Sequence, residues 1–299
     1  MKIFKALGSG CHRSLKVWKG VLIFWFISLS LVSLVALPFK AIMKTGLGQS
    51  AITGKLLNGI DVEVLSDLGP VYKSLTHSFS AGLLLLLLLW LLVNAFLTGG
   101  LFNSLKSKDE KFSAGEFFRA SARNFLSFMG ITLIISAIML LLALILIVIP
   151  MGGVASPDNP NESVPWLILI ISFSFYVLIS QVFVIIADYA RAWQVRNEKP
   201  ACFRALGFGF SRSFRKFRSS FPMMLIIWLV QTLFVVLVFK IIGNLKPATS
   251  IGVFGFFLLS QLMFYIRIFL KVWRYGSVTS LKELNDPSGV PENTAIILS

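Results

Sequence analysis

Charged residues are scarce in this chain, and their scarcity is the first constraint on its class. They form 14% of the 299 residues, whereas soluble domains carry about 25%. Hydrophobic residues form 56% of the chain. Only two cysteines are present, which excludes a disulfide-stapled secreted scaffold. The composition argues against a water-soluble enzyme and indicates a protein that crosses a membrane several times.

Acidic residues are scarcer than basic ones: the chain has 13 Asp and Glu against 28 Lys and Arg, giving a net charge of +15. Such a balance can indicate nucleic-acid binding, but a nucleic-acid binder spreads its basic residues over a solvated domain. Here the basic residues lie between long apolar runs. We therefore expect no nucleic-acid partner and expect the positive charge to act at a membrane surface.

Catalytic motifs are also missing from the sequence. It contains no H-E-x-x-H, C-x-x-C or G-x-S-x-G pattern, and its two histidines are His12 and His77. Zinc peptidase, thiol redox and nucleophile-elbow chemistry therefore lack their required residues. The sequence predicts a protein that is not an enzyme, with no cofactor and no metal site.

The apolar runs are long enough to cross a bilayer, which takes about 20 helical residues. Six predicted spans run from Val21 to Leu37, Ala81 to Leu97, Gly130 to Ile149, Trp166 to Ala187, Phe221 to Phe239 and Ile251 to Leu270. We interpret the first as a retained span and not as a signal peptide, since its apolar run is long and no A-x-A pattern follows. Pro150 directly follows the third run and predicts the end of that helix.

The distribution of Lys and Arg predicts the orientation. With six spans, the termini and the loops after spans two and four share one side, which carries 22 Lys and Arg against 6 on the other. Both termini are therefore expected in the cytoplasm, and the protein in a bacterial cytoplasmic membrane. Residues 285–299, which contain Pro287, Gly289 and Pro291, are expected to form a flexible cytoplasmic tail.

An internal repeat lies on the predicted cytoplasmic side. Residues 4–19 read FKALGSGCHRSLKVWK and residues 203–218 read FRALGFGFSRSFRKFR, with seven identities in register. Apolar residues recur at offsets 0, 3, 7, 11 and 14, which place them in one stripe along a helix. The stripe residues are Phe4, Leu7, Cys11, Leu15 and Trp18 in the first copy, and Phe203, Leu206, Phe210, Phe214 and Phe217 in the second.

A looser third copy begins at Phe118, in FRASARNFLSFMG. Each copy precedes an odd-numbered span, a polar loop and an even-numbered span, so the sequence predicts an all-α fold of three parallel hairpin repeats, each preceded by a cytoplasmic amphipathic helix. The predicted units cover approximately residues 1–105, 112–197 and 198–284 of a single membrane domain.

Basic residues accompany the apolar stripes and are the candidate lipid or partner contacts. They are Lys5, Arg13, Lys16, Lys19, Arg119, Arg123, Arg204, Arg212, Arg215 and Arg218. One interpretation makes each segment an interfacial helix over anionic lipid; others make the segments converge on a phosphate-bearing lipid or protein, or pack on the spans. Glycines at 8 and 10, matched at 207 and 209, indicate a bend or a close backbone approach.

Polar residues within or next to the spans form the second candidate set, which consists of Gln181, Asp188, Arg191, Gln231, Gln261 and Arg267. Asp188 lies three residues before Arg191, a spacing that favours an ion pair; Arg267 is an alternative partner. A proton-coupling role would require Asp188 to face water. Gln231 and Gln261 fall near the predicted midplane and are expected to hydrogen-bond each other.

The segments Phe118 to Gly130 and Ala187 to Phe210, the latter reading ADYARAWQVRNEKPACFRALGFGF, resemble a group of bacterial six-span membrane proteins. The group includes the membrane domain that accompanies some glycerophosphoryl diester phosphodiesterases. The resemblance implies a membrane fold. It implies no activity, because this sequence has no soluble domain with the acidic and histidine catalytic residues.

Two functions are compatible with these patterns. The first is a non-enzymatic integral membrane protein whose basic cytoplasmic helices engage anionic lipid or a partner complex. The second is a permease for an uncharged or amphipathic solute, with Gln181, Gln231 or Gln261 lining its path. Mid-span charges are missing, which disfavours an ion pump.

Overall fold

The described part of the chain is almost entirely helical, with short turns between the helices. The computed structural model describes residues 2–47, 70–106, 112–154, 163–197, 201–245 and 249–285. Within these ranges we number eight helices: α1 Lys2–Lys16, α2 Trp18–Leu47, α3 Pro70–Lys106, α4 Ala114–Ala143 with its extension to Val154, α5 Ser163–Gln194, α6 Cys202–Arg215, α7 Phe217–Asn244 and α8 Ser250–Asn285. The predicted tail beyond Asn285 lies outside the described residues.

Six of these helices are long and apolar enough to span a membrane. The stretches are Trp18–Leu37, Phe79–Lys106, Ala114–Gly152, Trp166–Gln194, Phe217–Asn244 and Ser250–Asn285. Their large apolar side chains, such as Leu140, Leu233 and Ile251, are largely exposed. Exposed leucine and isoleucine are stable when the surrounding solvent is lipid. The predictions of an all-helical fold and of six spans in a multi-pass membrane protein are confirmed.

The third span is longer than predicted. Pro150 does not end it, because α4 continues through a π-helical segment, Leu144–Val148, into Ile149–Val154. The N–H of Ile149 donates to the carbonyl of Leu144, which is the wider hydrogen-bond spacing of a π turn. A proline removes one donor from the helix, and a local change of spacing next to it lets the chain remain helical.

The described residues cluster in two compact units, one of which is Ile23–Asn94. In this unit α2 and α3 lie antiparallel, since Phe24 packs edge-on against Trp90 at 5.8 Å between ring centroids, and a Cβ at Gly82 would lie 3.0 Å from Val35. The hydroxyl of Ser28 donates to the carbonyl of Phe24. The hydroxyl of Ser28 is thus hydrogen-bonded within its own helix, because a polar group in an apolar environment needs a partner inside the protein.

The other unit comprises Met1–Leu22 and Ala95–Ser299, and α5 lies at its centre. One side of α5, with Ile185 and Tyr189, packs on α1, α7 and α8. The side with Ile186 and Ala190 packs on α4 and α6. Both sides of α5 are therefore covered by protein near its C-terminal end.

Helix α1 packs on α8 through small residues. A Cβ at Gly10 would overlap the backbone of Ser277, and one at Gly276 would come 2.7 Å from the Gly10 carbonyl oxygen. Polar contacts add to this packing: the indole N–H of Trp273 donates to the Leu7 carbonyl at 2.9 Å. The two backbones approach so closely that larger side chains would separate them.

Helix α6 packs on α5 in the same manner. A Cβ at Gly209 would overlap the carbonyl oxygen of Ile186 and come 3.1 Å from the backbone nitrogen of Ala190. Gly209 matches Gly10 in the sequence repeat, and the buried residues Ala205 and Arg212 match Ala6 and Arg13. The small-residue faces of α1 and α6 are thus buried at matching positions.

The start of α4 packs on the end of α3 through another pair of glycines. A Cβ at Gly100 would lie 2.7 Å from the carbonyl oxygen of Phe117, and one at Gly99 would lie 3.5 Å from the Asn124 side chain. Ala120 and Asn124, which take the places of Ala6 and Gly10, are buried. Each sequence copy therefore contacts an even-numbered span through its small residues.

Substitution of these glycines tests the packing. Gly10→Ala and Gly209→Ala are expected to lower the thermal unfolding midpoint in detergent, because overpacking costs about 1 to 3 kcal/mol. Gly8→Ala and Gly207→Ala are matched controls, since a Cβ at either site meets nothing within 4 Å. The controls should be neutral or stabilising, because alanine favours a helix over glycine by about 0.5 to 1 kcal/mol. Equal effects in all four variants would contradict the close approach.

Candidate functional site

A buried carboxylate is the centre of the candidate site. Asp188, on α5, has no solvent exposure. Its Oδ1 atom lies 3.3 Å from Nη1 of Arg191, and its Oδ2 atom lies 2.8 Å from Nε of Arg274 on α8. Both carboxylate oxygens thus face a guanidinium, which offsets the desolvation of the negative charge.

The alternative partner, Arg267, is not used. Its side chain is exposed and lies seven residues before Arg274 on α8. Seven residues are about two helical turns, or about 10 Å along the axis, so only one of these arginines can reach Asp188. The predicted pair with Arg191 is present, and the partner from α8 is Arg274.

Hydroxyl groups extend the cluster to two further helices. Nη2 of Arg191 donates to Oγ1 of Thr132 on α4 at 3.1 Å, and Tyr275 hydrogen-bonds Thr98 on α3. Lys271 lies with its Nζ atom 6.0 Å from the Tyr275 ring centroid. The cluster therefore joins α4, α5, α8 and the last part of α3, from Ala95 onward, within one unit.

A second ion network lies on the same side of this unit. Arg13 on α1 pairs with Glu283 near the end of α8, and Glu283 also contacts Arg196 at 2.8 Å. Nη1 of Arg13 donates to the Leu105 carbonyl at 3.3 Å. Arg13 is thus a structural link between α1, α3 and α8.

The predicted set of lipid or partner contacts is wrong at two residues. Arg13 and its repeat equivalent Arg212 are 7% and 6% exposed, respectively, so neither belongs to an exposed basic face. They occupy the packed side of their helices, beside the small residues at 10 and 209. The other predicted contacts are exposed, and they are Lys5, Lys16, Lys19, Arg119, Arg123, Arg204, Arg215 and Arg218.

Most residues of the apolar stripe are exposed on the same helices. Phe203, Phe210 and Phe214 of α6 and Phe4 and Leu15 of α1 all lie on the outside. Leu7 is buried in the core shared with α5 and α7, and Cys11 and Leu206 are half-buried. The outer sides of α1 and α6 therefore combine aromatic or apolar surface with basic residues.

The amides in the spans do not pair as predicted. Nε2 of Gln231 donates to the main-chain carbonyl of Leu270 at 3.4 Å, and Oε1 of Gln261 has no hydrogen-bond partner among the described residues. Gln231 lies beside Leu270 of α8 and not beside Gln261, which is nine residues earlier on the same helix. Gln181 is half-buried on α5.

Cysteine chemistry gains no support from the geometry. Cys11 and Cys202 are both free thiols, and burial raises the pKa of the Cys202 thiol. A raised pKa disfavours the thiolate, which is the nucleophilic and metal-binding form. Among the described residues, no group of three or more His, Cys, Asp or Glu could hold a metal ion.

The sequence patterns do not indicate Lys271, Arg274 and Tyr275 as site residues, because these residues follow the sixth apolar run. The structure extends α8 to Asn285, so these residues lie on a helix beside α5. The spacing of Lys271, Arg274 and Tyr275, at i, i+3 and i+4, is a signal that one helical face carries them.

No family model, curated protein or solved structure matches this chain. Its geometry defines an integral membrane protein with a buried ion cluster and an exposed basic and aromatic surface.

Removing the buried carboxylate tests the ion cluster. Asp188→Asn should lower the free energy of unfolding by about 3 to 5 kcal/mol, because it leaves buried guanidinium groups without a counter-charge. Arg267→Gln is the control and should change stability by less than about 0.5 kcal/mol. In a double-mutant cycle, Asp188→Asn should couple strongly to Arg274→Gln and weakly to Arg267→Gln. The reverse ranking would contradict the assigned partner.

Proposed function

We propose that this protein is a non-enzymatic integral membrane module whose cytoplasmic helices engage anionic lipid. The observation that carries the proposal is the two-sided construction of α1 and α6. The side with Gly10 or Gly209 is packed on a spanning helix, whereas the side with the aromatic stripe and most basic residues is exposed. Such a helix is suited to a bilayer interface, where rings enter the acyl boundary and cations reach phosphate groups.

The aromatic side chains of α6 form a continuous ladder that continues into α7. Ring centroids are 4.7 Å apart for Phe210 and Phe214, 6.4 Å for Phe214 and Phe217, and 4.8 Å for Phe217 and Phe221. The ladder leads from the short helix into a spanning helix, as expected for rings that follow the membrane surface inward. Exposed Arg204, Arg215 and Arg218 lie on the adjoining flank.

Three repeated units support this proposal, and we infer that they are parallel repeats, each beginning on the same side of the membrane. The copy in α6 packs on α5, the copy in α4 packs on α3, and the copy in α1 packs on α8. Each copy thus contacts the second span of the preceding unit, and the first copy contacts the last unit. Each repeated unit thus has an amphipathic segment at its start.

The distribution of basic residues supports a cytoplasmic location for this surface. The side of the proposed topology that contains α1 and α6 carries 22 of the 28 Lys and Arg residues. A fluorescent reporter that folds only in the cytoplasm, fused after Ser299, should be active in cells. A periplasmic alkaline phosphatase fused at the same position should be inactive. The opposite pair of results would place the basic surface outside and remove the basis for the bacterial inner-membrane orientation.

The lipid proposal is tested by the composition of lipid that remains with the protein. Wild-type protein extracted in polymer nanodiscs should be enriched in phosphatidylglycerol over phosphatidylethanolamine, as measured by mass spectrometry. Arg204→Gln, Arg215→Gln and Arg218→Gln, combined in one variant, should lower the enrichment several-fold, because each basic residue contributes about 1 kcal/mol near an anionic surface. Arg212 is left intact because it is buried.

A charge-retaining variant controls for changes in structure. Lysine at positions 204, 215 and 218 should preserve the enrichment, since the attraction depends on charge and not on guanidinium geometry. Enrichment should also fall when salt is raised, because the Debye length shortens. Unchanged enrichment in the glutamine variant would reject lipid binding by α6 and favour a protein partner.

A permease is the alternative function, and its glutamine-lined path stays a prediction. In the described residues Gln231 is engaged with the main chain of α8, which favours a packing role for this amide. The lipid proposal therefore has the stronger geometric support.

A further inference from the structure

We propose that the lipid-facing side of α1 is pH-sensitive, and that His12 is the group that adds positive charge to it as the pH falls. This regulation rests on the proposed function, the contact of α1 with anionic lipid. Histidine is the side chain that ordinarily changes its charge between about pH 5 and pH 8. Lysine and arginine at an exposed surface keep their charge over the same range.

His12 lies in the middle of the basic stripe of α1, which consists of Lys5, His12 and Lys16. All three side chains are exposed. At about 3.6 residues per turn, His12 lies about two turns after Lys5 and about one turn before Lys16, on the same side of the helix. A proton on His12 therefore adds a third charge between two lysines, on the side of α1 that we assign to the lipid surface.

The packed side of α1 leaves this imidazole at the protein surface. The next residue, Arg13, is 7% exposed and pairs with Glu283 of α8, and a Cβ at Gly10 would overlap Ser277. His12 and Arg13 point about 100° apart around the helix axis. The ring of His12 thus lies outside the contact between α1 and α8.

Other charged groups lie on the helices around α1. In the described parts that adjoin α1 they are Lys19 of α2, Lys106 of α3, Asp188, Arg191 and Arg196 of α5, Arg218 of α7, and Lys271, Arg274, Lys282 and Glu283 of α8. The carboxylates among them, Asp188 and Glu283, are each bound by arginines. Any titration of these groups would persist when His12 is replaced, so a variant at this position isolates the contribution of the imidazole.

The sequence repeat provides a second helix with the same surface and no histidine. On α6, Ser211 takes the place of His12, and Arg204 and Arg215 take the places of Lys5 and Lys16. These three α6 residues are also exposed. The surface of α6 therefore has a constant charge, whereas the charge on α1 depends on pH.

One added charge changes the preference for anionic lipid by a measurable factor. A basic residue near an anionic surface contributes about 1 kcal/mol, which is about fivefold in an association constant, since about 1.4 kcal/mol is tenfold. Binding of a proton to His12 and binding of anionic lipid beside it are coupled, so each favours the other. The preference of α1 for anionic lipid should rise as the pH falls, and that of α6 should stay constant.

The test reads the lipid composition next to α1 in the full chain, reconstituted in vesicles of phosphatidylcholine and phosphatidylglycerol. A fluorophore is attached at Gly8→Cys, about one turn before His12, in a background of Cys11→Ala and Cys202→Ala. A Cβ at Gly8 meets nothing within 4 Å, so the label has room. Quenching by spin-labelled phosphatidylglycerol, relative to spin-labelled phosphatidylcholine, should rise about fivefold from about pH 8 to about pH 5.

Position 207 on α6 is the matched control. Gly207 precedes Ser211 as Gly8 precedes His12, and a Cβ at Gly207 also meets nothing within 4 Å. A label at Gly207→Cys should report the same preference for phosphatidylglycerol at both pH values. Ser211→His should make the preference at this position rise as the pH falls.

Two variants at position 12 separate charge from structure. His12→Ser gives α1 the residue of α6 and should abolish the rise at position 8. His12→Lys keeps a positive charge and should give the high preference at both pH values. Neither change should alter the thermal unfolding midpoint, because His12 is exposed.

An equal preference at position 8 at both pH values would overturn the inference. So would an equal rise in wild type and His12→Ser, or a rise of the same size at position 207 with Ser211 in place, because another group would then be titrating. These outcomes leave the lipid contact itself intact. No preference for phosphatidylglycerol at either position and either pH would instead reject the proposed function together with its regulation.

Discussion

Close backbone contact between the short helices and the spans is the constraint on which the rest of this structure depends. Gly10 of α1 faces α8 and Gly209 of α6 faces α5, and both glycines allow the helices to touch at positions where even a Cβ would overlap main-chain atoms. Lipid tails are as apolar as the spans, so burial of apolar surface contributes little to this association. The association depends instead on van der Waals contact and on hydrogen bonds such as that from the Trp273 indole to the Leu7 carbonyl.

This contact also fixes the roles of the basic residues. The residues that share the glycine side, Arg13 and Arg212, are buried with it, and Arg13 becomes an ion-pair partner of Glu283. The remaining basic residues are left on the outer side with the aromatic stripe. One helix thus carries basic residues with two different roles, which are separated by their angle around the axis and not by residue type.

The sequence was sufficient for the class of fold and for local pairs. Apolar length identified six spans, and i, i+3 spacing identified Asp188 with Arg191. The sequence was not sufficient for contacts between distant helices. The second partner of Asp188 is Arg274 and not the predicted Arg267. Gln231 donates to the main chain of α8 and not to the predicted Gln261. Such contacts depend on how two helices are rotated and shifted along each other, and hydropathy carries no information on that shift.

The sequence by itself determined that this chain is a helical membrane protein with its positive charge concentrated between particular spans. Hydrophobic length and charge are properties of single segments, and the bilayer acts on each segment alone. Only the tertiary structure decided that Arg13 and Arg212 are buried, and that Asp188 shares its two oxygens between α5 and α8. These outcomes require several helices to meet, because a buried charge is stable only where a partner from another element is positioned to balance it.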